Sequence, residues 1–308
     1  MRALSTQPDL RLRVPLLVSF VSLVACASTP TNQDDFDAGE PFTCLEPTVL
    51  PFDPDPGDAD EANVCFAFDA SRLGLTALRG IVWAATEPSS PTLLHHATLY
   101  AAPSDFPSGP VSCDGMPPGA VGLHVWSPGG DDLELPNDVA LAIPRGTTQL
   151  VIEAHVLRNG QGVAGTASAT LCAASPAAVH QAAFLGYSAP VPALRPMHDE
   201  ESDVGCELPH DAHLWSVWPH MHLAGSQITV RLRNADGTVR HLVDVSPWRF
   251  HQQTTYRLAI DARAGDIVET HCRWRNDTDT YILPGPRTQD EMCNTGLIVW
   301  PVEAATCR

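Results

Sequence analysis

The 308-residue chain carries 36 acidic against 18 basic side chains, a formal net charge of −18 at pH 7, with 44% hydrophobic and 6% aromatic residues. This balance excludes a nucleic-acid partner, because phosphate binding needs a basic face; it fits solubility outside a cell. The 28 Pro and 21 Gly leave little room for long helices.

At the N-terminus Arg2, Arg11 and Arg13 accompany an apolar stretch, Val14 to Ala25, that closes on Leu23-Val24-Ala25-Cys26. This is the pattern of a signal peptide with a lipobox, and the apolar run is too short for a permanent transmembrane helix. The expectation is a signal peptide over 1–25, an acylated Cys26 as first mature residue, and a chain anchored to the cell envelope by lipid. Ser28, where an Asp would signal otherwise, favours the outer membrane of a Gram-negative host. Residues 26–43 read as a flexible tether, with Phe36 and Phe42 their only large apolar groups.

Short strand-like runs follow at Ala97–Ala101, Gln149–Leu157, Leu214–Trp218, Ile228–Leu232, Tyr256–Ile260, Ile267–Thr270 and Leu297–Trp300. Asn234-Ala235-Asp236-Gly237 sits between runs as a hairpin signal. The expected fold is all-β, two tandem jelly-roll-like β-sandwich domains. Residues 173–205, rich in Ala, Pro and acidic side chains, read as containing the connection, with domains over 44–178 and 179–308. With Cys26 reserved for lipid, Cys44, Cys65, Cys113, Cys172, Cys206, Cys272, Cys293 and Cys307 remain. An even number without a C-x-x-C pair in an exported chain favours four disulfides over a metal cluster, and spacing leaves the pairing open.

Three histidine groups carry chemistry: His95-His96, His155, and His220-Met221-His222. On a strand His220 and His222 share one face. Adjacent His95 and His96 would point apart, and converge only at a strand end or bulge. A third ligand for the second pair is available in Asp290-Glu291-Met292-Cys293-Asn294; two His with a thioether suit copper, above all Cu(I), while three His tolerate copper, zinc or iron. The first group alone would therefore also suit a zinc hydrolase. His124, His180, His198, His241, His251 and His271 read as packed or surface residues.

These motifs, in this order, resemble the type II copper, ascorbate-dependent monooxygenases, the family of peptidylglycine α-hydroxylating and dopamine β-monooxygenases. His95-His96 matches its His-His pair and Glu153-Ala154-His155 its third-ligand strand. Val125-Trp126-Ser127-Pro128-Gly129-Gly130 and Leu135-Pro136 match intervening features. His220-Met221-His222-Leu223-Ala224-Gly225 matches its H-x-H-x-x-G, Gly265-Asp266 a turn, and Glu291-Met292-Cys293 its Glu-Met-Cys.

The resemblance implies two copper ions per chain. His95, His96 and His155 would hold the one that stores and passes an electron. His220, His222 and Met292 would form the catalytic site that meets O2 beside the substrate, where a C–H bond is hydroxylated with electrons from ascorbate or another reductant. It also implies disulfides Cys44–Cys172, Cys65–Cys113, Cys206–Cys307 and Cys272–Cys293. Departures bear on the substrate: Glu153 stands where peptide-hydroxylating members carry Gln, Trp218 where they carry Arg, and Gly296 where a Tyr engages the peptide carboxylate. A peptide ending in glycine does not fit; a small aromatic or aliphatic molecule does. A non-catalytic copper-binding or electron-transfer lipoprotein is the alternative reading, ahead of a zinc hydrolase.

Overall fold

Period-two alternation of apolar and polar side chains makes this chain a strand former almost throughout. A computed structural model describes residues 44, 48–52, 61–70, 75–86, 94–103, 106–107, 111–113, 115–127, 130, 132–157 and 165–308. The signal stretch 1–25, the tether 26–43 and Cys26 lie outside the described residues. Among those described, no helix is long and apolar enough to cross a membrane.

Ten strands precede residue 178: β1 (Thr48–Phe52), β2 (Glu61–Asp69), β3 (Ala77–Thr86), β4 (Leu94–Ala102), β5 (Val111–Ser112), β6 (Val121–Trp126), β7 (Leu133–Glu134), β8 (Val139–Ala142), β9 (Gln149–Leu157) and β10 (Gly165–Ala173). Eight follow: β11 (His180–Ser188), β12 (His198–Glu207), β13 (Ala212–Met221), β14 (Gly225–Arg233), β15 (Val239–Val245), β16 (Tyr256–Ala262), β17 (Ile267–Asn276) and β18 (Cys293–Trp300), before a short 3-10 turn at Val302–Ala304. The fold is an all-β sandwich. A long sheet runs β1-β10-β3-β8-β11-β18-β13-β16, with β7 on β3. The five-stranded sheet β5-β2-β9-β4-β6 covers its first part, and the four-stranded sheet β12-β17-β14-β15 covers its second.

The two layers meet through buried side chains. Phe66, Leu78, Ile81, Leu99, Leu141, Leu150 and Ile152 form the core of the first half, and Leu185, Leu214, Val217, Val230, Val268, Leu297 and Val299 that of the second. Trp215 and Ile298 join the first core from the second half. Parallel pairing of β8 with β11, His180 opposite Val139, carries the long sheet across the midpoint.

All seven apolar runs fall inside strands, and Asn234–Gly237 turns the chain between β14 and β15, with the Gly237 N–H donating to Asn234 O at 2.9 Å. Within residues 173–205, 174–179 link β10 to β11, and the rest holds β11 and most of β12. The sequence of β12 is acidic because it is an edge strand whose carboxylates face cations on β17: Asp199 pairs with Arg275 at 3.2 Å and Glu201 with Arg273 at 3.1 Å. Alternation at such an edge is between half-buried and exposed polar groups, which hydrophobicity does not register.

The disulfides are Cys44–Cys172, Cys65–Cys113, Cys206–Cys307 and Cys272–Cys293. They indicate a protein exported to an oxidising compartment.

Candidate metal centre

β4 and β9 are antiparallel neighbours. Leu94 stands opposite Val156 and His96 opposite His155, so the register shifts by one residue at His95. This bulge turns His95 and His96 toward each other: their Nδ1 atoms lie 3.0 Å apart. The His155 ring centroid is 5.2 Å from that of His95 and 4.9 Å from that of His96, and one nitrogen from each of the three residues lies within 4.8 Å of the others. The His155 Nε2 is 3.0 Å from Glu61 Oε2, and the Thr288 hydroxyl donates to the same oxygen at 2.5 Å. Burial pushes the Glu61 carboxyl up, but the bonds from His155 and Thr288 outweigh it and bring the group down to about 2. Burial, followed by the neighbouring imidazoles, lowers His95 to about 2, so its ring is neutral at pH 7 and able to bind a metal.

The second group is assembled differently. β13 ends at Met221, and His222 begins a turn closed by Gly225 N–H donating to His222 O at 3.3 Å. Their spacing predicts one shared strand face, but the strand ends between His220 and His222, and the turn leaves the rings 5.0 Å apart and nearly perpendicular. Gly225 is required because a Cβ there would sit 2.8 Å from the Trp248 ring and 3.0 Å from Met221 Cβ. Both rings are buried, at 2% and 1% exposure. The His220 Nδ1 donates to Gln253 Oε1 at 2.6 Å and the His222 Nδ1 to the backbone carbonyl of Asp290 at 3.1 Å. An oxygen that only accepts fixes the proton on Nδ1 and leaves each Nε2 lone pair unprotonated. Burial lowers His220 to about 3, with His222 adding to the effect.

Met292 lies immediately before β18, and Asn294 Nδ2 approaches its sulfur at 3.3 Å. Cys293, opposite Met221 in the sheet, is tied to Cys272 of β17, which holds the backbone beside this Met from two directions. Glu291 holds it from a third. Its carboxylate accepts from the N–H groups of His222 at 3.1 Å, Ala224 at 2.6 Å and Met292 at 3.2 Å, and from the Trp274 indole at 2.9 Å. Burial pushes this carboxyl up to about 7 against those donors.

The two histidine groups face each other. His95 lies 6.3 Å from His220 and 6.4 Å from His222, and His96 5.9 Å from His220, between ring centroids. Gln253 bridges them: its amide N–H groups reach His95 Nε2 and Phe250 O, both at 2.9 Å, while its oxygen accepts from His220. His96, His155, His220, His222 and Met292 line one cavity of about 720 Å³. Glu153 also lines it, buried and accepting from the Tyr100 hydroxyl at 2.8 Å. Burial raises its carboxyl pKa. Trp218 stacks on His220 at 4.7 Å and 19°. His251 stands edge-on to Phe250 at 5.0 Å, and Phe250 in turn stacks on His95 at 4.2 Å, whereas His124 is buried beneath the Trp83 indole N–H at 3.2 Å and His213 stacks on Trp300.

Residue patterns did not point to Glu61 or Gln253. Glu61 acts from the start of β2 and Gln253 from an irregular segment, so no local motif marks either. Glu291 carried a signal, its place beside Met292, but its role in bracing the His222 turn became visible only with the chain folded.

The fold and site together define an all-β protein with buried, neutral imidazoles and a thioether around one cavity. Residues 187–308 match the family model for the copper type II ascorbate-dependent monooxygenase C-terminal domain, and this match supports a place in the copper type II monooxygenase family. Among solved structures the chain is similar to the major capsid protein P2 of bacteriophage PM2, at 10% identity over 84% of this chain and 100% of that one, TM-score 0.34. It is also similar to a xanthan lyase from Paenibacillus, at 9% identity over 85% of this chain and 26% of that one, TM-score 0.22. At those scores neither likeness bears on the function.

Proposed function

We propose that the protein is an exported, lipid-anchored copper monooxygenase that hydroxylates a C–H bond of a small molecule. One oxygen atom of O2 enters the product and the other leaves as water, with electrons drawn from ascorbate or another reductant. In this reading residues 44–178 supply one copper site, His95, His96 and His155, and residues 179–308 supply the catalytic one, His220, His222 and Met292. The acylated Cys26 ties the chain to the envelope, and Ser28 directs it to the outer membrane of a Gram-negative host.

The observation that carries the reading is the hydrogen bonding of the second group. Both Nδ1–H groups donate to oxygen, so both Nε2 atoms keep free lone pairs, and these two rings share a cavity with the Met292 thioether. Two neutral imidazoles and a soft sulfur suit Cu(I), and orientation through the non-ligating nitrogen is how metal-binding histidines are ordinarily fixed. Copper held there would supply the reaction with O2. The protein's own part is to keep the rings neutral by burial, to orient them through Gln253, Asp290 and Glu291, and to enclose the substrate in the cavity.

Metal analysis combined with ascorbate-driven O2 consumption over a substrate panel tests this. The expected result is two coppers per chain and labelled oxygen from O2 in a hydroxylated product. Bound zinc with O2-independent hydrolysis, or copper without any product, contradicts it.

A further inference from the structure

The floor of the cavity is a sheet face on which alternate residues point the same way. Asn294 of β18 stands between Ser188 of β11 and His220 of β13, and the next row outward is Gly186, Gly296 and Trp218. Phe184, one row further along β11 and opposite Ile298, lays its ring back over those glycines. A Cβ at Gly296 would lie 2.6 Å from two carbons of that ring, one at Gly186 2.9 Å and one at Gly122 of β6 3.2 Å. Three strands thus leave three positions bare beneath a single ring, and a side chain at Gly296 or Gly186 would force it out of its seat.

Phe184, Trp218 and Gly296 line the cavity together with His220, His222 and Met292. Among the described residues that line it there is no Lys, Arg or Asp, and the one carboxyl group, on Glu153, is already bonded to Tyr100. An anion would find no cation in this wall, and a cation only the Glu153 carboxyl, which Tyr100 already engages, so burying either there is costly. An aromatic ring finds two others against which to pack edge or face.

We propose that the cavity takes an uncharged molecule bearing an aromatic ring, and that Phe184, seated on Gly122, Gly186 and Gly296, sets the largest ring system admitted. This rests on reading the cavity as the substrate site, and not on which metal the histidines hold.

Calorimetric titration of the metal-free full chain with benzyl alcohol, naphthylmethanol, anthrylmethanol, naphthoate and naphthylmethylamine tests it, and leaving the metal out keeps the result independent of copper stoichiometry. Naphthylmethanol is expected to bind at least about tenfold more tightly than either charged naphthalene. Gly296→Ala pushes the Phe184 ring into the cavity and should weaken naphthylmethanol about tenfold while changing benzyl alcohol less than about threefold. Phe184→Ala removes the wall and should tighten anthrylmethanol about tenfold. If Gly296→Ala fails to fold, the double variant Phe184→Ala/Gly296→Ala carries the test, since the clash is then gone: it should melt close to Phe184→Ala and keep that variant's preference for the larger ring. Charged members binding as tightly as the neutral one, no binding by any of the alcohols, or a size preference that the variants leave unmoved would each overturn the proposal. A wrong metal count would leave this result standing, and its failure would leave the metal count standing.

Discussion

On the β4–β9 side the imidazole nitrogens are bonded largely to one another and to side chains: His95 to His96 and Gln253, and His155 to Glu61. On the β13–β18 side the Nδ1 atoms are bonded away from the cavity, to a carbonyl and an amide oxygen, and the turn beneath them is braced by a buried carboxylate and a disulfide. Under the proposed function, a metal arriving at the first group would replace bonds that these side chains already make. At the second group the two Nε2 atoms are left free and the rings' orientation is fixed beforehand, with Asn294 Nδ2 the one group on the Met292 sulfur among the described contacts. The difference fits a division between a site that exchanges electrons through imidazoles and one that must hold a thioether beside a substrate.

The sharpest way to break this contrast is to remove the brace. Glu291→Ala leaves the N–H groups of buried His222 and Trp274 and of half-buried Ala224 and Met292 without their acceptor. It should cost at least about 3 kcal/mol. A denaturant melt with metal titration checks it, and should show the second site lost before the first. Glu291→Gln, which keeps one acceptor oxygen, should recover part of that loss.

The disulfides sharpen the contrast at a smaller scale. Replacing Cys272 and Cys293, 21 residues apart, by Ser should cost about 3 kcal/mol through the loop released in the unfolded chain. It should also weaken Cu(I) binding at the Met292 side alone. The same exchange at Cys65 and Cys113, whose bridge starts on β2 of the five-stranded sheet while Met292 precedes β18 of the long one, should lower stability without changing Cu(I) affinity there. Bathocuproine competition on the folded variants separates the two outcomes.

A further effect, spread over pH, is shared by both sides. Burial lowers His124 to about 4, His220 to about 3 and His95 to about 2. Because the folded values lie below the ordinary one, near 6.5, the unfolded chain takes up protons first as pH falls. Stability is then fully present above about 6.5 and is lost progressively below it, by up to about 1.4 kcal/mol per pH unit for each group. Thermal melts of the metal-free protein between about pH 7.5 and 4.5 should show this loss; a melting temperature flat over that range would mean the rings are not buried neutral.

How much of this was legible in the sequence follows from the range of the forces involved. The seven apolar runs announced strands because one face of each is buried, and the hairpin at Asn234–Gly237 announced itself through turn chemistry. The bulge at His95 was required by adjacency alone, since only an irregularity lets neighbouring residues converge. The acidic edge strand β12 was not legible, because its partners, Arg273 and Arg275, are distant in sequence. The turn that places His222 was misread as strand, because spacing cannot show where β13 stops. Nor could Gln253 or Glu61 be found, as each reaches the histidines across the fold. The approach of the two groups in one cavity depends on the long sheet passing through β8 and β11, which no local pattern encodes.

The most direct test of the account is copper binding by Met292→Ile. The substitution keeps volume and apolarity and should cost under about 1.5 kcal/mol, while removing the thioether. The variant should bind close to one equivalent of Cu(I) where the parent binds two, retain the copper at His95, His96 and His155, and give no hydroxylated product with any substrate of the parent. Two equivalents bound with unchanged Cu(I) affinity would take Met292 out of the site and contradict the assignment.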